Sequence, residues 1–185
     1  MKIGILSDSH DHTQLLLDAA HEAITMGVEA FLHCGDLVEA ETVAELASMG
    51  RPVHLVHGNN SGNLDRLREL ADRAGSGIHY YGAEADFTLA GRRIFLSHYP
   101  ERARAMAATG QWDLLCCGHS HRSEIVRIDH ERGTAVLLNP GTVAGIGAPA
   151  NYAWGSLETL QFEIRSVSGR SGTPAAFRQG TMPHE

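Results

Sequence analysis

Five short clusters of metal-binding side chains punctuate the chain: Asp8-Ser9-His10, Gly35-Asp36, Gly58-Asn59, Ser97-His98 and Gly118-His119-Ser120-His121. Their donors are carboxylate, imidazole and amide oxygen. A mixed oxygen and nitrogen set of this kind suits Mn, Fe, Zn, Ni or Co better than calcium or an iron–sulfur cluster. Asp-x-His at the end of a strand puts both side chains on one side, so that one ion takes both, and His-x-His does likewise. Asp36, with two oxygens, is able to bridge two cations. Glycine before Asp36, Asn59 and His119 lets the backbone turn sharply and leaves room beside an ion. Taken singly, Gly-Asp and Gly-Asn are common turn dipeptides, and His98 alone is an ordinary hydrogen-bonded core histidine. Five such pieces in order, each closing a strand-like run, form a pattern that turns alone do not produce.

The elements that must position these residues are legible from periodicity. Residues 2–7 (KIGILS), 30–34 (AFLHC) and 53–57 (VHLVH) are short apolar runs that stop abruptly at polar residues, as buried strands do. Residues 14–26, 39–49 and 64–74 carry helical spacing. In the first of these Leu16, Ala19, Ala20, Ala23 and Ile24 form one stripe, and Gly27 marks the stop. Strand and helix thus alternate three times, which implies a parallel sheet with crossover helices and a site outside the carboxyl ends of its strands. The rhythm then changes. Residues 86–89 and 93–97 flank Ala90-Gly91-Arg92 as a hairpin, 101–109 read as a helix, and 112–117 (WDLLCC) as a buried strand. Strands are expected at 124–129 and 134–138 around Glu131-Arg132-Gly133, and again at 152–156 and 160–167. The architecture that follows is α/β: two packed sheets, one mixed and one more antiparallel, with helices outside. Residues 1–167 read as one domain. Residues 168–185, rich in Gly, Ser, Pro and Thr, read as a flexible tail.

Composition narrows the function classes. A net charge of −7 disfavours a basic surface for long nucleic acid, and with it a nuclease. It does not disfavour a small phosphate-bearing substrate, because bound metal supplies local positive charge. No apolar run approaches the ~20 residues that span a bilayer, and the first residues enter a strand without a signal-peptide pattern. Three cysteines (Cys34, Cys116, Cys117), two of them adjacent, make no disulfide framework. They precede motif residues on strands and read as buried packing residues rather than ligands. A reducing, cytoplasmic setting is the expectation; oligomeric state leaves no signal.

The series Asp8-x-His10, Gly35-Asp36, Gly58-Asn59, His98 and Gly118-His119-x-His121 resembles the calcineurin-like metallophosphoesterase superfamily. The short chain and Asn139-Pro140-Gly141-Thr142 resemble its small bacterial and archaeal phosphodiesterase branch. The resemblance implies a four-layer sandwich of two mixed sheets flanked by helices, and a dinuclear centre of two divalent ions, Mn foremost. It places Asp8, His10, Asp36 and His121 on one ion, and Asp36, Asn59, His98 and His119 on the other. Asp36 would bridge, and Asp36, Asn59 and His119 would be catalytic. The implied reaction is hydrolysis of a small phosphoester, a diester before a monoester, by in-line attack of a hydroxide bridging the ions.

One motif departs from the family. Its third motif usually reads Gly-Asn-His followed by an acidic residue, and that histidine is the candidate proton donor to the leaving group. Relatives in the small branch commonly have Cys-Asp there. Here the sequence is Gly58-Asn59-Asn60-Ser61, and an amide is no general acid near neutral pH. General acid catalysis is worth ~10²–10⁴-fold, so poor leaving groups should suffer most. His12 and His57 are either replacements or turn histidines behind the ligands. Arg122 is either a phosphate contact or a surface arginine. With Asn60 these three make up the expected substrate-facing set. The alternative to an enzyme is a protein-binding scaffold, as in the retromer subunit of this fold.

Overall fold

The first strand, β1 (Lys2–Leu6), already shows how the layers arise. Ile3 and Ile5 pack into one apolar cluster and Leu6 into another, on opposite faces of the sheet. The structure, a computed structural model, describes residues 1–131 and 133–168. The expected tail, apart from Ser168, lies outside these residues, as does Arg132 of the expected turn. After β1 come α1 (Thr13–Thr25), β2 (Ala30–His33), α2 (Ala40–Ser48), β3 (Val53–Leu55), α3 (Leu64–Ala71) and β4 (Ile78–Tyr80). The hairpin β5 (Glu84–Leu89) and β6 (Arg92–Ser97) leads to α4 (Pro100–Ala107) and β7 (Leu114–Cys116). The chain then runs through β8 (Glu124–His130), β9 (Gly133–Asn139), β10 (Asn151–Ser156) and β11 (Gln161–Ser166).

One sheet has the order β11-β10-β1-β2-β3-β4, the other β5-β6-β7-β9-β8. Parallel pairing joins β1 through β4, while β10 and β11 extend that sheet antiparallel. In the second sheet β6-β7 and β7-β9 are parallel and the two outer pairs antiparallel. Both sheets are therefore mixed. Period-two burial assigns each face. Ala30, Leu32, Ile94, Leu96, Leu114, Cys116, Val136 and Leu138 fill the layer between the sheets. Phe31, Val53 and Leu55 pack outward with Leu16, Val43, Leu46 and Leu67 of α1 to α3. Phe95, Leu115, Cys117 and Leu137 face Ala103 and Ala107 of α4. The result is four layers, helices–sheet–sheet–helix. Among the described residues no helix is long and apolar enough to cross a membrane.

The sequence reading missed β4. It has three residues, of which only Ile78 is buried, so no period is available to read. It is an edge strand added beside β3 through Val53 opposite Ile78. At this edge the gap between the sheets is closed by a stack of rings. His54 of β3 lies 4.5 Å from His79 and 4.8 Å from Phe87 of β5, nearly parallel to both, and its Nδ1 pairs with the Tyr81 hydroxyl at 2.8 Å.

Candidate metal centre

All five clusters lie where the strands of the two sheets run out at their carboxyl ends. Asp8 and His10 follow β1, Asp36 follows β2, Asn59 follows β3, His98 follows β6, and His119 and His121 follow β7. Backbone bonds stitch the loops together: Asp8 N–H to Gly35 O at 3.0 Å, His10 N–H to Asp36 O at 2.8 Å, and Gly118 N–H to His98 O at 2.9 Å. The segment after β9 adds side-chain ties. Asn139 donates to Gly118 O at 2.8 Å, and the Thr142 hydroxyl donates to Asp8 O at 2.9 Å. These are the Asn and Thr of Asn139-Pro140-Gly141-Thr142, which hold the first and last motifs together. Asp8, His10, Asp36, His119 and His121 all have positive φ, between 45° and 65°. For non-glycine residues that conformation is strained and concentrates at functional sites. Two glycines make room. A Cβ at Gly58 would lie 2.1 Å from Asp36 Oδ1, and one at Gly118 would lie 2.6 Å from Asp8 Oδ2.

The side chains converge. Ligand atoms of Asp8, His10 and His121, and again of Asp8, Asp36 and His98, lie within 4.8 Å of one another. Asn59 Oδ1 sits 3.1 Å from His98 Nε2 and 3.0 Å from His119 Nδ1, which brings the amide and the fourth histidine into the same cluster. His10 Nε2 is 3.9 Å from Asp36 Oδ2. Every residue expected to hold metal is thus in one place. The grouping differs in detail from the expected one: Asp8 as well as Asp36 lies between the two halves, and His119 reaches the cluster through Asn59.

The donor set fits divalent metal for a specific reason. Asp8 and Asp36 are 0% and 2% exposed, and among the described residues no Lys or Arg pairs with either. A divalent ion would supply the counter-charge that two buried ionised carboxylates otherwise lack. His98 donates Nδ1–H to Cys34 O at 2.9 Å and His121 donates Nδ1–H to Ile146 O at 2.7 Å. In the neutral ring that leaves a bare Nε2 lone pair. The Nε2 atoms of His98 and His121 lie 3.3 Å from Asp36 Oδ1 and 3.3 Å from Asp8 Oδ1, respectively. His10 Nε2 is buried with no hydrogen-bond partner among the described residues. Backbone carbonyls that fix the tautomer of metal-binding histidines are the usual support for such a site.

The substrate-facing set is scattered. Asn60 is committed to Asp36, donating its backbone N–H to Oδ1 at 2.9 Å and its amide to Oδ2 at 2.8 Å. It orients a candidate ligand. Arg122 is exposed beside His121, with no ion pair among the described residues. His57 bonds the Tyr80 hydroxyl through Nδ1 at 2.7 Å, and burial, with Arg68 and His98 adding to it, lowers its pKa. His12 caps α1 by its backbone only and is exposed. Two supports escaped the sequence reading. One is Asn139 as a tie. The other is His33, fully buried, its pKa lowered to about 3 chiefly by burial and then by His98. Its Nδ1 accepts from Gly35 N–H at 3.3 Å, and its Nε2 meets Ser9 Oγ at 3.0 Å, so it braces both acidic loops. The only signal was a histidine inside an otherwise apolar strand. The three cysteines are buried free thiols, and none belongs to the donor groups.

Comparison with known proteins agrees with this geometry. The model of the calcineurin-like phosphoesterase superfamily domain matches residues 1–160. A phosphodiesterase of Methanocaldococcus jannaschii is 30% identical over 174 residues, which span 90% of this chain and 98% of that protein. A solved archaeal phosphodiesterase superposes with a TM-score of 0.80 at 22% identity, covering 90% of this chain and 99% of the other. Vps29 of Entamoeba histolytica complexed with zinc superposes with a TM-score of 0.63 at 19% identity, covering 92% and 95%. The two superpositions speak for the fold. The chain belongs to the calcineurin-like phosphoesterase superfamily, and its class is hydrolase of phosphoester bonds.

Proposed function

We propose that this protein is a metal-dependent phosphodiesterase with a dinuclear centre. Asp8, His10, Asp36 and His121 hold one divalent ion and Asp36, Asn59, His98 and His119 the other, with Mn the foremost identity and Zn, Ni, Fe or Co the alternatives. The observation that carries the reading is the pair of buried carboxylates, each with a histidine Nε2 at 3.3 Å and neither paired with Lys or Arg among the described residues. When bound, divalent ions polarise phosphoryl oxygens and generate a water-derived nucleophile at neutral pH. The protein's own part is positional. Asn60 and the residue-60 amide fix both oxygens of Asp36, the His119 amide N–H fixes Asp8 Oδ2 at 3.0 Å, and backbone carbonyls fix His98 and His121. Arg122 supplies a cation for a substrate phosphate oxygen. With Asn60 in place of a histidine, the chain offers no protonating group at that position, which favours diesters with good leaving groups. The substrate is a small phosphoester rather than long nucleic acid or membrane lipid, and three buried thiols suit a reducing cytoplasmic setting.

The test is direct. Chelator-treated protein should be inactive and regain hydrolysis of bis(p-nitrophenyl) phosphate, above that of p-nitrophenyl phosphate, when Mn²⁺ is restored. Asp36→Ala and His119→Ala should abolish that turnover. Folded, metal-replete protein with no turnover of either ester would overturn the enzyme reading and favour a protein-binding scaffold.

A further inference from the structure

Large apolar side chains exposed among the described residues are Tyr81, Tyr99, Ile125 and Ile146. Tyr81 is accounted for by its stack on Phe87 and its hydroxyl's bond with His54. Ile125 lines a cleft beside β8, β10 and β11. The other two flank the donor cluster. Tyr99 follows His98 directly and is 39% exposed. Its ring centroid lies 5.2 Å from that of His98 and 5.1 Å from that of His119. The interplanar angles of 73° and 63° mean that neither histidine stacks on it face to face. Ile146, 43% exposed, belongs to the loop whose carbonyl accepts from His121 Nδ1.

The centre therefore has an exposed aromatic ring on its His98/His119 side and an exposed aliphatic residue beside His121. A phosphomonoester carries one organic substituent. A diester carries two, and only a diester uses both flanks. The backbone that carries the aromatic flank is also constrained. Tyr99 precedes Pro100, which keeps its backbone extended (φ −89°, ψ 125°). It opens α4, whose Ala103 and Ala107 are buried against the second sheet. A surface held in this way loses little freedom on binding.

Resting on the phosphoesterase reading above, we propose that Tyr99 is the stacking surface for a planar substituent of the ester. The substrate class is then phosphodiesters bearing an aromatic ring or nucleobase on the His119 side, with the second substituent beside Ile146. Ring stacking of this kind is worth roughly tenfold in affinity.

Calorimetric titration of the metal-loaded protein with phenylphosphonate and methylphosphonate tests the proposal without requiring turnover. Wild-type protein should prefer the phenyl compound by roughly tenfold. Tyr99→Ala should erase that preference while methylphosphonate binds as before, and Tyr99→Phe should retain it. A preference that survives in Tyr99→Ala overturns the proposal. So does an equal loss of both ligands, which would mark Tyr99 as a support for the histidines. Absence of any phenyl preference in the wild type overturns it as well. Turnover of bis(p-nitrophenyl) phosphate by the wild type, measured in parallel, reports on the phosphoesterase reading separately.

Discussion

Replacing Asn60 with alanine separates the substrate-facing role expected from the sequence from the hold on Asp36 that the structure shows. If Asn60 faces substrate, its loss raises KM. If it holds Asp36, its loss weakens metal binding. The structure argues for the second role, and the magnitude follows from the bond removed. Asn60 Nδ2 donates to Asp36 Oδ2 at 2.8 Å, and the accepting carboxylate side chain is only 3% exposed. A hydrogen bond to a charged group contributes about 1.5–3 kcal/mol net. The backbone amide of residue 60 still donates to Oδ1 at 2.9 Å, and the exposed position of residue 60 lets water replace part of the lost amide. The lower half of that range therefore applies, about 1.5–2 kcal/mol, or roughly 10–30-fold in an equilibrium constant. Partners of metal ligands typically cost 10–100-fold in affinity when removed, which brackets the same figure.

The assay is competition between the protein and a chromogenic chelator for Mn²⁺, followed by steady-state hydrolysis at saturating metal. Asn60→Ala should bind the ion about 10–30-fold more weakly and recover most of its kcat, with KM for the ester nearly unchanged. Unaltered metal affinity together with a raised KM would refute the reasoning and return Asn60 to the substrate.

Two further outcomes follow from buried groups. Cys117 packs with Phe95, Leu115 and Ala103, and burial pushes its thiol up to about 12. Cys117→Ala should cost ~1 kcal/mol in urea unfolding and leave metal stoichiometry and turnover intact; lost metal without lost folding would make the thiol a ligand. Burial, reinforced by His79, lowers the pKa of His54 to about 4 from 6.5. Because the folded value is depressed, protons bind the unfolded chain more readily, so stability is full above pH 6.5 and falls as the pH drops from 6.5 through 4. Allowing for partial solvent contact of the ring, wild-type protein should lose about 1 kcal/mol more than His54→Phe between pH 7 and 5. Urea midpoints of the chelated proteins read the difference, and equal losses would remove His54 as the cause.

The layers and the centre were legible in different ways. Strands such as β1, β2 and β7 are apolar runs broken by a sharp polar stop, so their existence and the site at their carboxyl ends could be read directly. Their ends could not: β3 stops at Leu55 rather than His57, because Val56 to Asn59 already form the loop that delivers the ligand. The insertion of β9 between β7 and β8 is a long-range choice with no local signature. The seven metal-binding candidates were picked out by residue type, glycine spacing and the family resemblance, and the structure brings them together. Their supports were not, since the bracing role of His33 and the inward turn of Asn60 depend on which loops meet in space.

That division has a physical origin in the backbone of the ligands themselves. Five of the seven sit at positive φ, where glycine would be cheapest and where a side chain costs about 1–2 kcal/mol. They also bring two buried carboxylates within 3.3 Å of histidine Nε2 atoms. The positive φ is unfavourable within these loops, so the candidate ligands do not arrange themselves. The arrangement is imposed by groups outside the donor set: backbone bonds between the loops, Asn139 and Thr142 clamping the first and last motifs, Asn60 on Asp36, and glycines 58 and 118 admitting the carboxylates. A divalent ion held by these residues would offset the charge of the two buried carboxylates. The backbone cost remains, held by the sandwich. The fold's contribution to chemistry is therefore to keep an unfavourable geometry in place before metal arrives, as preorganised sites require.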